Sequence, residues 1–149
     1  MSIVSVILGL FGCAGTSESP KHGLSELTSV SVSEAGMEQD GGYSFWIRLE
    51  DGNWVFEGEC GIDGERVSVT DAKVSGEERE ELFSALEENG AVLYAENYKH
   101  RKNSSRVSDG DSYGFVLTFS NGDRCVTYER QEYLERYFFR LAEKYGNNN

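Results

Sequence analysis

Two Asp-Gly pairs constrain the fold more than any other feature of the chain. Asp51-Gly52 and Asp63-Gly64 each separate runs of alternating apolar and polar residues. Asp-Gly favours a two-residue hairpin turn, because both central positions take positive φ and the resulting twist suits the flanking strands. Folding Tyr43–Glu50 back on Asn53–Cys60 about the first pair sets Leu49 opposite Trp54, Ile47 opposite Phe56, Phe45 opposite Gly58 and Tyr43 opposite Cys60. These residues share one face, since side chains alternate along a strand. The other face receives Ser44, Trp46 and Arg48 against Glu59, Glu57 and Val55. The second pair independently sets Cys60 opposite Val67 and Gly58 opposite Val69, on the same apolar face. Two turns that need not agree thus specify one register, and residues 43–74 read as a three-stranded antiparallel meander.

The remaining elements are read from weaker signals. Asn121-Gly122 predicts a third hairpin with Phe115 against Tyr128, Leu117 against Val126 and Phe119 against Arg124. Leu24–Ser33 alternates weakly and reads as an added edge strand, and Val92–Tyr94 as a short strand. Ser75 and Glu78 have the spacing of a capping box, which starts a helix running to about Asn89 with Gly90 just past its end. Leu82, Phe83, Ala85 and Leu86 form its apolar stripe. A last helix covers about Gln131 to Tyr145, with Leu134, Tyr137, Phe138 and Leu141 at helical spacing and Gly146 at its end. The expected architecture is α+β: an antiparallel meander sheet of about five strands with two helices packed on one face. It forms a single domain over residues 24–149.

Upstream lies a different kind of sequence. Residues 3–11 are apolar and uncharged, the length and character of a signal-peptide core. They end in Leu10-Phe11-Gly12-Cys13, which resembles the lipobox of bacterial lipoproteins. Leu10 and Gly12 match that motif. Phe11 stands where a smaller residue is usual, and the start carries no Lys or Arg. The resemblance implies cleavage after residue 12, lipidation of Cys13 and a lipid-anchored, extracytoplasmic location in the bacterial cell envelope. The other reading of this stretch is an amino-terminal strand or helix that is simply buried. Residues 14–23 are small and polar with the chain's one proline, Pro20, and read as a flexible tether carrying His22. Residues 1–12 are then signal, and 13–23 the lipidated cysteine and tether.

Charge and residue spacing narrow the function. Residues 34–88 carry 16 acidic and 4 basic side chains, whereas 89–149 carry 8 acidic and 9 basic. Such an acidic first half repels phosphate backbones, so nucleic-acid binding is disfavoured. An exported chain permits a disulfide. The third register, however, puts Cys125 opposite Thr118, on the face away from Cys60, which predicts two free thiols. His100 falls in a charged surface loop, so no nucleophile–histidine set is evident. No zinc spacing occurs, and Asp109-Gly110-Asp111 lacks the later oxygen ligands of a calcium loop, at Tyr113 and Ser120. No cofactor or metal is expected.

Two features remain as candidate contact residues. One is Trp46 beside Arg48, on the face away from the core unless a helix or the first strand covers it. The other is the basic cluster Lys99, Arg101, Lys102 and Arg106, in a loop over about Glu96 to Ser112 that also reads as simply solvated. The leading expectation is a monomeric, non-enzymatic interaction domain, anchored to the membrane through lipid and meeting a protein or envelope glycan. The alternative is an envelope hydrolase using acidic residues.

Overall fold

A computed structural model of the chain describes residues 18–36, 41–99 and 112–147. The expected signal segment and Cys13 lie outside these residues, as do His100, Arg101, Lys102 and Arg106. The sheet has six antiparallel strands: β1 (Leu27–Ala35), β2 (Tyr43–Glu50), β3 (Asn53–Ile62), β4 (Glu65–Lys73), β5 (Ser112–Phe119) and β6 (Arg124–Thr127). Their order is β4-β3-β2-β1-β5-β6. Helices α1 (Gly76–Glu88), α2 (Ala91–Glu96) and α3 (Glu132–Gly146) pack against one face. The architecture is α+β as expected, with one strand and one helix more than the sequence suggested.

Both Asp-Gly turns form as read. Asp51 and Gly52 take φ of 50° and 78°, and Asp63 and Gly64 take 51° and 80°. Phe45 pairs with Gly58, Ile47 with Phe56 and Leu49 with Trp54. Cys60 pairs with Val67, and Gly58 with Val69. Beyond Gly58 the β4 strand carries one extra residue, since Phe56 pairs with Ala72. This bulge holds Asp71 at φ 51°, a left-handed conformation that Asp tolerates better than most residues.

The third hairpin differs from its expected register by one residue. Phe115 pairs with Thr127, Leu117 with Cys125, and Thr118 with Arg124. Only Gly122 takes positive φ, at 88°, and its N–H donates to the carbonyl of Phe119. The loop is therefore a type I turn followed by a left-handed glycine, not the two-residue turn that Asn-Gly suggested. A one-residue slip exchanges the faces of a strand. Cys125 thus faces the core side, Thr127 is buried, and Val126 is exposed. Cys60 and Cys125 are both free, but not because they face apart. They share a face and sit on β3 and β6, four strand spacings or about 19 Å apart.

Two further expectations are corrected. The strand read at Leu24–Ser33 is β1, and it is central, paired with β2 on one side and β5 on the other. Alternating Val and Ser is the same pattern for an edge or a centre strand, so the pattern could not distinguish them. Val92–Tyr94 lies in helix α2, whose first bond runs from Tyr94 N–H to the Gly90 carbonyl. Burying Ala91, Val92 and Ala95 on one side of a helical turn outweighs the strand preference of Val and Tyr. The Ser75–Glu78 capping box forms in both directions at 3.1 Å, and Gly90 takes φ 56° just past α1.

The core lies between the sheet and α3. Phe45 stacks on Phe56 and Phe138, and meets Phe139 edge-on. Its ring occupies the space above Gly58, where a Cβ would stand 2.6 Å from Phe45 Cδ1 and 3.0 Å from Phe56 Cζ. Gly58→Ala should therefore cost about 1–3 kcal/mol of stability by forcing these rings off their rotamers, measured by urea denaturation. In the unfolded full chain carrying Cys13→Ala, thiol titration without reductant should find both Cys60 and Cys125 reactive.

Candidate functional site

Strand alternation and helix packing together fix what the outer face of the sheet displays. All buried strand residues lie on the helix side, and among the described residues nothing covers the other side. There β1 contributes serines, Ser29, Ser31 and Ser33, and β2 contributes Ser44, Trp46 and Arg48. One cross-strand row reads Glu57, Trp46, Ser31, Val116, Val126. The next reads Val55, Arg48, Ser29, Thr118, Arg124.

Trp46 stands between two shallow grooves. One, of about 490 Å³, runs over the small serines of β1 toward Val116 and Arg124. The other, of about 390 Å³, is bounded by Glu57, Glu59, Ser68 and Thr70. Trp46 is 42% exposed. The first strand lies beside it in the sheet, pairing Ser31 with Trp46, and does not cover it.

Arg48 fixes the indole. Its guanidinium lies 4.4 Å from the Trp46 ring centroid, a cation–π geometry. The same group meets Glu50, Glu57 and Asp71, each at 3.0 Å. Asp71 reaches it because the β4 bulge turns this carboxylate outward, as bulges commonly re-aim side chains. Burial alone would lower the Arg48 pKa, but the three carboxylates outweigh it and raise it. Arg48 is thus committed to holding Trp46 and is not a loose cation awaiting a ligand.

Lys99 is exposed and follows Tyr98, whose ring lies 6.5 Å from Tyr128 at the β6 edge. Trp46 is on β2, three strand spacings away, or about 14 Å. Among the described residues no contact joins Lys99 to Trp46. Arg101, Lys102 and Arg106 lie outside the described residues.

Two polar clusters were not anticipated from the sequence. Glu135 is the buried carboxylate of the described residues. It accepts Nε of Arg130 on both oxygens, at 3.0 and 2.9 Å, and the hydroxyl of Tyr43. Burial first, and then Glu135, push the Tyr43 phenol far above its ordinary value. The second cluster contains His22, which is stacked on Phe119 between Glu96 and Asp123. It was expected in the flexible tether. Its three partners come from β5, α2 and a turn, and no spacing in the sequence links them. Among the described residues no group of three His, Cys, Asp or Glu side chains is placed to hold a metal ion. No described helix is long and apolar enough to cross a membrane.

No protein-family model, no curated protein and no solved structure matches this chain.

The two tryptophans give a direct check of the outer face. Trp46 is 42% exposed and Trp54 is 7% exposed. Acrylamide should quench two distinct populations, and Trp46→Phe should remove the accessible one while leaving the protected emission of Trp54.

Proposed function

We propose that this chain is a lipid-anchored, non-enzymatic interaction domain of the bacterial envelope. It meets its partner, a protein or an envelope glycan, through the open sheet face around Trp46. The observation that carries this reading is the exposed indole held by Arg48 on a face that no described element covers. Partly exposed aromatic and arginine side chains on a fixed surface are the residues that anchor contacts. Here the sheet holds Trp46 rigidly, so little side-chain freedom is lost on binding. The serines beside it offer hydroxyl donors and acceptors without filling the grooves. The anchor rests on the lipobox-like Leu10–Cys13.

The alternative of a hydrolase working through acidic residues asks for two carboxylates held in different environments within one pocket. Glu135 has its oxygens engaged by Arg130 and Tyr43, and Glu96, whose side chain is equally enclosed, is engaged by Lys21 and His22. That arrangement favours the binding reading.

The test places a photo-crosslinking residue at Ser31, next to Trp46, or at Arg79 on the exposed side of α1, in cells. Adducts should form from position 31 and not from 79, and Trp46→Ala should reduce them at least tenfold. Equal adduct yield with Trp46→Ala would remove this surface as the binding site. Metabolic labelling with a palmitate analogue should mark the chain and fail on Cys13→Ala.

A further inference from the structure

Both ring nitrogens of His22 face carboxylates. Nδ1 lies 2.9 Å from Glu96 Oε1, and Nε2 lies 2.8 Å from Asp123 Oδ2. A neutral imidazole carries one N–H, so it can satisfy one of these contacts. Its other nitrogen would then point a lone pair at a carboxylate oxygen. Asn121 Nδ2 also lies 3.5 Å from Nε2, but both carboxylate contacts are made together only by the imidazolium, which donates at both nitrogens.

The same carboxylate also holds the backbone. The N–H groups of Lys21 and His22 donate to Glu96 Oε2 and Oε1 at 2.8 and 2.9 Å. The His22 ring lies 4.2 Å from that of Phe119 and nearly parallel to it. Residues 21–23 are thereby fastened to α2 and to the β5–β6 turn.

We infer that His22 is a proton-controlled latch, whose imidazolium bridges Glu96 and Asp123 to fasten the amino-terminal segment and whose deprotonation removes one of these two contacts and loosens that segment. The groups around it are few. Glu96 comes from α2, and Asp123 comes from the β5–β6 turn, where Asn121 Nδ2 also donates to it at 2.9 Å. Lys21 lies on the segment itself. Glu26, from the short helical turn Leu24–Glu26, is directed to the Gly23 N–H instead. Cys125 of β6 lies close enough that, after burial, Glu96 and Asp123 help raise its thiol pKa. Among these, the two carboxylates dominate.

The direction of the pH effect follows from the partners. The hydrogen bonds to Glu96 and then Asp123 raise the His22 pKa above its ordinary 6.5. Stability gained from a raised pKa is fully present below the unfolded value and is lost as pH rises through the folded value. On the acid side, burial works against the Glu96 carboxylate, but the Lys21 and His22 donors outweigh it and lower its pKa. Asn121 and then His22 lower that of Asp123. The latch is therefore closed between the lowered carboxylate values and the raised histidine value, and opens as pH rises through the latter.

The consequence for anchoring rests on the lipoprotein reading proposed above. Loosening frees Lys21 and His22, or about 7 Å of added reach between Cys13 and the domain. The latch would thus set how far the Trp46 face stands from the membrane.

Proton NMR of the full chain tests it. His22→Gln assigns the His22 ring signals against those of His100, and protected Trp54 emission reports that the domain stays folded. The expected result is a His22 midpoint above 6.5, lowered by Asp123→Asn. Exchange protection of the Lys21 and His22 amides, corrected for intrinsic rate, should fall at least tenfold through that midpoint and not in His22→Gln. A His22 midpoint at or below 6.5, or amide protection that ignores it, would overturn the latch. A titrating latch in a chain that takes no palmitate label would uphold the latch and remove only its membrane role.

Discussion

The packing of Phe45 into the space over Gly58 is the contact on which the rest of the structure depends. One ring touches β3 through Phe56, and α3 through Phe138 and Phe139. Each such aromatic pair contributes about 0.5–1.5 kcal/mol beyond the area it buries. This seam docks α3 on the β3–β4 half of the sheet, and α2 covers the β5–β6 half. With the helices committed to that face, no described element covers the opposite face, where Trp46 stands.

The connection from β4 to β5 shows why the helices lie where they do. β4 is an edge strand, and β5 lies on the far side of β1, four strand spacings away. The chain must travel about 19 Å across the sheet. Helix α1 has 13 residues and rises about 20 Å. Its length matches this distance, and it buries Leu82 and Leu86 against the core. Gly90 then turns the chain directly into α2, which carries Glu96 to the amino-terminal segment. Topology, core and the His22 cluster are consequences of one crossover.

The polar clusters divide by what encloses them. Glu135 is taken out of water and is stable there because Arg130 and Tyr43 occupy its oxygens. Arg48 meets three carboxylates on the outer face and positions an aromatic ring. His22 joins a segment to the domain, and its two carboxylate partners raise its pKa above the ordinary 6.5.

Short-range rules made part of this fold legible before any tertiary contact. Asp51-Gly52 and Asp63-Gly64 determined two hairpins and their faces, because both residues of each pair must accept positive φ and one register then gathers most of the apolar residues on one face. Ser75 and Glu78 determined the start of α1, because their side chains satisfy its first amides. Trp46 was placed on the outer face by the same alternation. Tertiary structure decided the rest. Asn121-Gly122 fits two turn types, and burial of Thr127 rather than Tyr128 goes with the longer one. Val-Ser alternation in β1 is equally good at an edge or at the centre, and pairing with β5 made it central. His22 gained its role only when α2 and the β5–β6 turn brought Glu96 and Asp123 to its two nitrogens. Those partners lie 74 and 101 residues away along the chain. A contact of that separation has no local signature, because it exists only after the sheet has closed around it.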